Sequence, residues 1–407
     1  MKNAHLGEVD YLRVFGLIAI VCIHAFGFFL SMPAASAYTR IFQEINVNLL
    51  RFGRYAFMFV SGLVLFYSYN GYKLSTLHFY KRRFKNLVIP YAVWTAVYLL
   101  IKRWANMVSW PGLAGFSTLW LQNLINGNAY IHFYYILAAI QFYLFFPLLI
   151  PIFKPRQPRL WAKIILVGGF LLYTFYYYFL EIRGADVTNL VAGTSWEAVT
   201  SLVLQYKDRL LFSYLPFYFL GGLAGLYLEE WRKWLAGRRN LIFGGLILSA
   251  GLVCGEYFYF YRHLGQEWEL TISVFKPSIY LYSLVVIVIL SWLSLVLERR
   301  GFMRSLITIL AANSLGIYLI HPAVLFIFHS FLWGQLKFLG SFVFILDPAA
   351  AIAVSCLVSL VLGGNQYTRF IVGEAGNLRD NRLFWLNLFH RISIRRLADI
   401  VGFMGLR

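Results

Sequence analysis

The chain has 407 residues, of which 60% are hydrophobic, 19% aromatic and only 13% charged. Soluble domains carry about a quarter charged residues, so this composition, with a mean hydropathy of +0.67, excludes a soluble globular enzyme, a disordered chain and a disulfide scaffold. A net charge of +19 would point to nucleic acid if the basic residues gathered on one water-facing patch, but they recur between apolar runs, as orientation signals do, and no nucleic-acid partner is expected.

Apolar runs long enough to cross a bilayer fall at about 10–31, 45–70, 86–106, 130–152, 162–181, 210–228, 241–261, 276–297, 306–331 and 340–363. Lipid admits helices because each satisfies its own backbone, so the expected fold is all-α, a polytopic bundle of about ten transmembrane helices. Pro33, Gly71, Pro155, Pro158 and Gly301 mark breaks between runs. Most of the 36 basic residues, among them Lys81 to Lys85, Arg232 to Arg239 and Arg299 to Arg304, fall in segments that are cytoplasmic if the N-terminus is. The acidic residues divide about evenly between the two faces, as a rule that counts only Lys and Arg allows. Both termini are therefore expected in the cytoplasm, in a cell membrane, the bacterial inner membrane fitting best. Residues 1–363 form the membrane domain and 364–407 a basic tail. Within that tail 382–404 is patterned as an amphipathic helix, with Arg391, Arg395 and Arg396 between apolar residues, lying either on the anionic inner leaflet or under the bundle.

Ala34-Ala35-Ser36-Ala37 resembles a signal-peptidase site, but the run before it is longer than a signal segment and carries Arg13, so the first helix is expected to stay. Cys22, Cys254 and Cys356 lie inside spans, with neither disulfide nor zinc spacing, and no metal is expected. Walker, G-x-S-x-G and H-E-x-x-H motifs are absent. The Gly221, Gly222 and Gly225 cluster reads as close helix packing.

Ionisable residues inside a span cost a few kcal/mol unless paired or facing a cavity, and so are the candidates for function. Arg13 and His24 are 11 residues apart, which returns to within roughly 20° of one helix face at about 16 Å along the axis. Asp10 shares that stripe. Arg51 near the outer start of the second run, Glu256 in the seventh and His321 in the ninth reach about the same depth as His24, making a candidate buried polar layer. The bland alternatives are interhelical bonding for Glu256 and His321, the latter toward a carbonyl freed by Pro322, and snorkelling for Arg13.

Asp10-Tyr-Leu-Arg13 followed by His24 resembles the R-x10-H opening of the acyltransferase-3 family of multi-pass membrane acyltransferases. The similarity continues through Arg51-Phe-Gly-Arg-Tyr55 to Ser61-Gly62, with Tyr55 where a proline is common, and through Phe79 to Arg83, Asn86 and Pro90-Tyr91. It ends with His132-Phe-Tyr-Tyr and Ser314-Leu-Gly-Ile-Tyr318-Leu-Ile-His321-Pro322. Where many members have R-x-x-R before the proline, this chain has Arg83-x-x-Asn86, and Lys85 or Lys81 can supply the second charge.

The resemblance, most like the stand-alone subgroup acting on biofilm or surface polysaccharide, implies transfer of an acyl group. The donor would be cytoplasmic acetyl-CoA or another acyl-CoA, and the acceptor a hydroxyl of an extracytoplasmic glycan or its lipid-linked precursor. Arg13, Arg82, Arg83, Lys85 and Asn86 would hold the donor, arginine suiting phosphate through its bidentate fork. His24 would act as general base or as nucleophile, the base being favoured, with Arg51 stabilising the thioester oxyanion. Glu256 would orient the histidine or meet the acceptor, His132, Tyr318 and His321 would line the acceptor side, and Asp10 would orient Arg13. A polysaccharide exporter or flippase is the alternative from another class, and a receptor or channel a third. The acyl group, the sugar and the oligomeric state stay open.

Overall fold

The computed structural model describes residues 5–30, 37–71, 74–109, 112–153, 156–263, 273–332 and 342–373, which form helices and turns with no strand among them. The helices are α1 Gly7–Leu30, α2 Ala37–Leu50, α3 Phe52–Tyr69, α4 Thr76–Arg83, α5 Ile89–Trp104, α6 Gly112–Asn126, α7 Tyr134–Ile152, α8 Pro158–Phe175 and α9 Gly184–Val191. They continue as α10 Glu197–Tyr206, α11 Leu215–Leu226, α12 Leu228–Ala236, α13 Arg239–His263, α14 Pro277–Arg300, α15 Arg304–Ala312, α16 Ser314–Ile327 and α17 Val343–Gly364. The expected tail helix at 382–404, the signal-peptidase-like 34–36 and the breaks at Pro33 and Pro155 lie outside the described residues.

Nine described stretches are long and apolar enough to span a membrane: Gly7–Leu30, Tyr38–Tyr69, Thr76–Trp104, Tyr134–Pro151, Pro158–Ile182, Asn240–His263, Pro277–Arg300, Ser314–Leu332 and Val343–Gly364. The sixth expected span, 210–228, is the 12-residue α11, about 18 Å long. It is short because Leu211–Ser213, at the start of the run, is a 3-10 turn that follows another at Lys207–Arg209, and irregular backbone is tolerated at depth where protein encloses it. The second span starts earlier than its apolar run. Its first part, α2, is polar in sequence, yet Gln43, Glu44 and Asn48 are buried, and the Tyr257 hydroxyl donates to Glu44 at 2.6 Å.

The core is built on α3, clamped between α1 and α11. Gly62, Gly221 and Gly225 let α3 and α11 meet backbone to backbone: a Cβ on Gly221 would fall on the Phe59 carbonyl, and one on Gly225 on that of Leu63. This is the close packing the glycine cluster implied. Tyr55 stacks on Phe217 at 4.4 Å and donates to the Val274 carbonyl at 2.8 Å, tying α3 to the start of α14. The helix is interrupted at Arg51, a turn residue between α2 and α3 whose N–H reaches back to the Asn48 carbonyl at 3.3 Å.

A π turn, Phe84–Val88, separates α4 from α5, and Pro90, lacking an N–H, cannot bond the Asn86 carbonyl. Trp94 donates to the Ile371 carbonyl at 3.0 Å, so residues after α17 fold back onto α5. There Gly373, at φ +76°, brings its Cα against the Asn86 carbonyl, which a Cβ would meet at 2.9 Å.

Candidate active site

Two cavities flank the middle of the bundle. One, of about 990 Å³, lies toward the basic ends of α1 and α4 and is lined by Asp10, Arg13, Arg82, Arg83 and Asn86, with Arg304, Ser314, Val372 and Gly373 around them. Asp10 is buried; it accepts from His5 at 2.7 Å, and Arg13 lies 3.6 Å from its other oxygen. The Arg13 guanidinium is thereby held by a carboxylate on the preceding turn. Arg83 packs its guanidinium over Tyr143 at 4.7 Å and Phe79 at 5.4 Å. Its Nε and the Oδ1 of Asn86 are buried without a hydrogen-bond partner among the described residues. Buried polar atoms are ordinarily bonded, so these two mark a place where a polar ligand belongs. The π turn helps to gather them, as such turns often do at functional sites.

Lys85 does not line this cavity. Residues 82, 83 and 86 share a face, and position 85 falls off it, leaving its side chain exposed.

The second cavity, of about 760 Å³, is lined by His24, Arg51, Arg54, His132, Tyr134 and Asp208, with Lys102, Tyr130 and Arg209 also on its wall. Three imidazoles meet at its base: the ring centroids of His24 and His321 are 5.2 Å apart, those of His24 and His132 6.0 Å, and those of His132 and His321 5.5 Å. His321 is fully buried and its Nδ1 lies 3.0 Å from the Ile317 carbonyl. A carbonyl only accepts, so Nδ1 carries the proton and Nε2 presents a lone pair. This differs from the bland bonding expected of His321: the partner is on its own helix, and it is the Ile317 carbonyl rather than that of Tyr318, which Pro322 frees. Both ring nitrogens of the buried His132 lack a partner among the described residues. His24, only half-buried, faces the cavity. Among the described residues no group of three or more His, Cys, Asp or Glu side chains is placed to hold a metal ion.

Tyr135 and Tyr318 line both cavities, their rings 6.1 Å apart, and form the partition between them. The Tyr318 hydroxyl donates to the His132 carbonyl, fixing one leaf of that partition. Arg13, Arg83 and Asn86 thus stand on one side of two tyrosines, with His24 and Arg51 on the other.

Glu256 is elsewhere. It accepts from Ser278 and lies 3.7 Å from the fully buried Lys276, and it lines neither cavity. Position along a helix fixes height but not direction, and Glu256 is taken up by Ser278 and Lys276 at the contact of α13 with α14.

Arg54, Tyr135, Asp208, Arg209 and Lys102 were not among the sequence candidates. Arg54 was the most accessible of them, since it follows Arg51 by one turn and must share its face; its guanidinium lies over Tyr134 at 5.1 Å. Arg209, 3.4 Å from Asp208 and bonded to the Asn126 carbonyl, reads in sequence as an ordinary loop charge. Burial pushes the Asp208 carboxyl up, although Arg209 and Arg54 face it.

No match to the chain is found among curated proteins or among solved structures. The family model described as an acyltransferase domain matches residues 6–364, almost all of the described helices, including both cavities' basic residues and all three histidines. The chain accordingly belongs to the acyltransferase-3 family and is a multi-pass membrane acyltransferase.

Proposed function

We propose that the protein moves an acyl group, acetyl being the simplest, from cytoplasmic acyl-CoA to a hydroxyl of an extracytoplasmic glycan or its lipid-linked precursor. The observation that carries this reading is the pair of cavities that share Tyr135 and Tyr318 as lining residues, one lined by Arg13, Arg82 and Arg83 and the other by His24. A donor made on one face and an acceptor met on the other need that arrangement.

Arg13, Arg82 and Arg83 would bind the donor's phosphates, Asp10 keeping Arg13 extended toward them. Asn86, in place of the family's second arginine, offers an amide to the same ligand, so this chain relies more heavily on Arg82 and Arg83. The roughly 16 Å between Arg13 and His24 along α1 suits a pantetheine arm passing the tyrosine partition.

His24 would take the proton of the acceptor hydroxyl as that oxygen attacks the thioester carbon. The new C–O bond forms, the C–S bond breaks, and the thiolate leaves and regains the proton from the imidazolium as CoA thiol. Arg51, buried on the wall of the same cavity with its Nε unpartnered among the described residues, would stabilise the carbonyl oxygen as it becomes an oxyanion. His321, held by its bond to Ile317, would position His24.

The test is transfer of labelled acetyl from acetyl-CoA to glycan by cells or membranes carrying the protein. Loss of the ester with continued export of the polymer supports the reading; loss of exported polymer itself would support an exporter.

A further inference from the structure

The cavity beside His24 carries more positive charge than the chemistry of a neutral hydroxyl requires. Arg51 and Arg54 stand one turn apart on its wall, Lys102 and Arg209 complete it, and among the described residues Asp208 is the one carboxylate lining it. Arg209 already lies against Asp208, and Lys102 donates to the Asn128 carbonyl at 3.3 Å. Arg51 is 8% exposed, and its Nε has no partner among the described residues. Arg54 has no salt bridge or hydrogen bond among the described residues; its contacts are the faces of Tyr134 and Tyr55, at 5.1 and 5.9 Å. Asp208 faces Arg54 as well, but it is shared with Arg209 and makes no salt bridge to Arg54; a buried guanidinium so weakly compensated is costly, and stacking on tyrosine recovers only part of that cost. One of the two arginines is accounted for by the oxyanion. The other faces the space the acceptor would fill.

We propose that the acceptor is anionic, carrying a carboxylate or phosphate group that Arg54 receives while a nearby hydroxyl is held at His24. This rests on the acyl-transfer reading for which hydroxyl reacts, but not for the binding itself. The guanidinium fork suits either oxyacid, and the two sources are an acidic sugar of the glycan and the phosphate of a prenyl-linked precursor. The cationic wall would also select against neutral glycans, since binding one leaves Arg54 desolvated and unpaired.

The experiment measures binding by the full chain in detergent micelles, without donor, to two matched pairs: a neutral oligosaccharide against its glucuronate-containing counterpart, and farnesol against farnesyl phosphate. At least one anionic member should bind tenfold or more tighter than its neutral partner. Arg54→Gln should erase that difference, and Arg54→Lys should keep part of it. Which pair responds identifies the source. Equal binding within both pairs, or a preference that survives Arg54→Gln, would overturn the proposal. His24→Ala separates the two claims, because it should abolish transfer from acetyl-CoA yet leave the anion preference intact. If the preference is present and wild-type transfer is absent, the acyl-transfer reading fails while the anion site stands.

Discussion

His24 is the one histidine of the cluster that is not fully enclosed, and the chemistry proposed depends on it. General-base catalysis contributes about 10²–10⁴-fold, so His24→Ala should lower acyl transfer by at least a hundredfold at unchanged membrane abundance, checked by immunoblot beside the transfer assay. On the donor side, removing a charged hydrogen-bonding group costs about 1.5–3 kcal/mol. Arg83→Ala should therefore raise the KM for acyl-CoA by roughly ten- to a hundredfold, with a smaller rise for Arg83→Lys, measured by initial rates at varied donor. Lys85→Ala, whose side chain lies off the cavity, should leave KM unchanged.

These residues differed in how far the sequence exposed them. Arg13 and His24 were legible because a helix repeat alone puts them on one stripe. His132 came from motif resemblance and His321 from its depth in the ninth run as well, and their meeting with His24 depends on the turn before α7 and on α16 converging on α1, which no local pattern encodes. Glu256 matched in depth but not in direction, and its bonds to Ser278 and Lys276 are made at another helix contact. Arg54 was hidden beside Arg51 because only one charge of the pair was credited with a role.

At the scale of elements, the positions of Arg51 and Arg54 depend on how closely α3 approaches α11. Adding side-chain volume to a filled interior costs about 1–3 kcal/mol or more, and at Gly221 the obstacle is backbone, which cannot swing aside. Gly221→Val should therefore lower the thermal midpoint in detergent and the yield of folded protein. Gly244→Ala, where a Cβ meets nothing within 4 Å, should be neutral; fluorescence-detected chromatography after heating reads both. The helices themselves followed from apolar run length with two instructive differences. α2 is too polar to be recognised as membrane-embedded until Tyr257 is seen to satisfy Glu44. α11 is shorter than its run because the 3-10 turn Leu211–Ser213 consumes the run's start.

At the scale of the whole molecule, the account requires the Arg83 cavity to face the cytoplasm and the His24 cavity to communicate with the other side. The distribution of Lys and Arg predicts this orientation. It is checked by single cysteines placed in a variant lacking Cys22, Cys254 and Cys356. Ser75→Cys before α4 should be shielded from an impermeant maleimide added to intact cells, and Ser195→Cys between α9 and α10 should react. The reverse pattern would invert the donor and acceptor sides. The most direct measurement uses proteoliposomes in which [14C]acetyl-CoA is supplied only on the Arg83 side and the glycan acceptor only on the other. Labelled ester should appear on the acceptor with wild-type protein and vanish with His24→Ala, whereas ester formed equally by the His24→Ala protein would contradict the account.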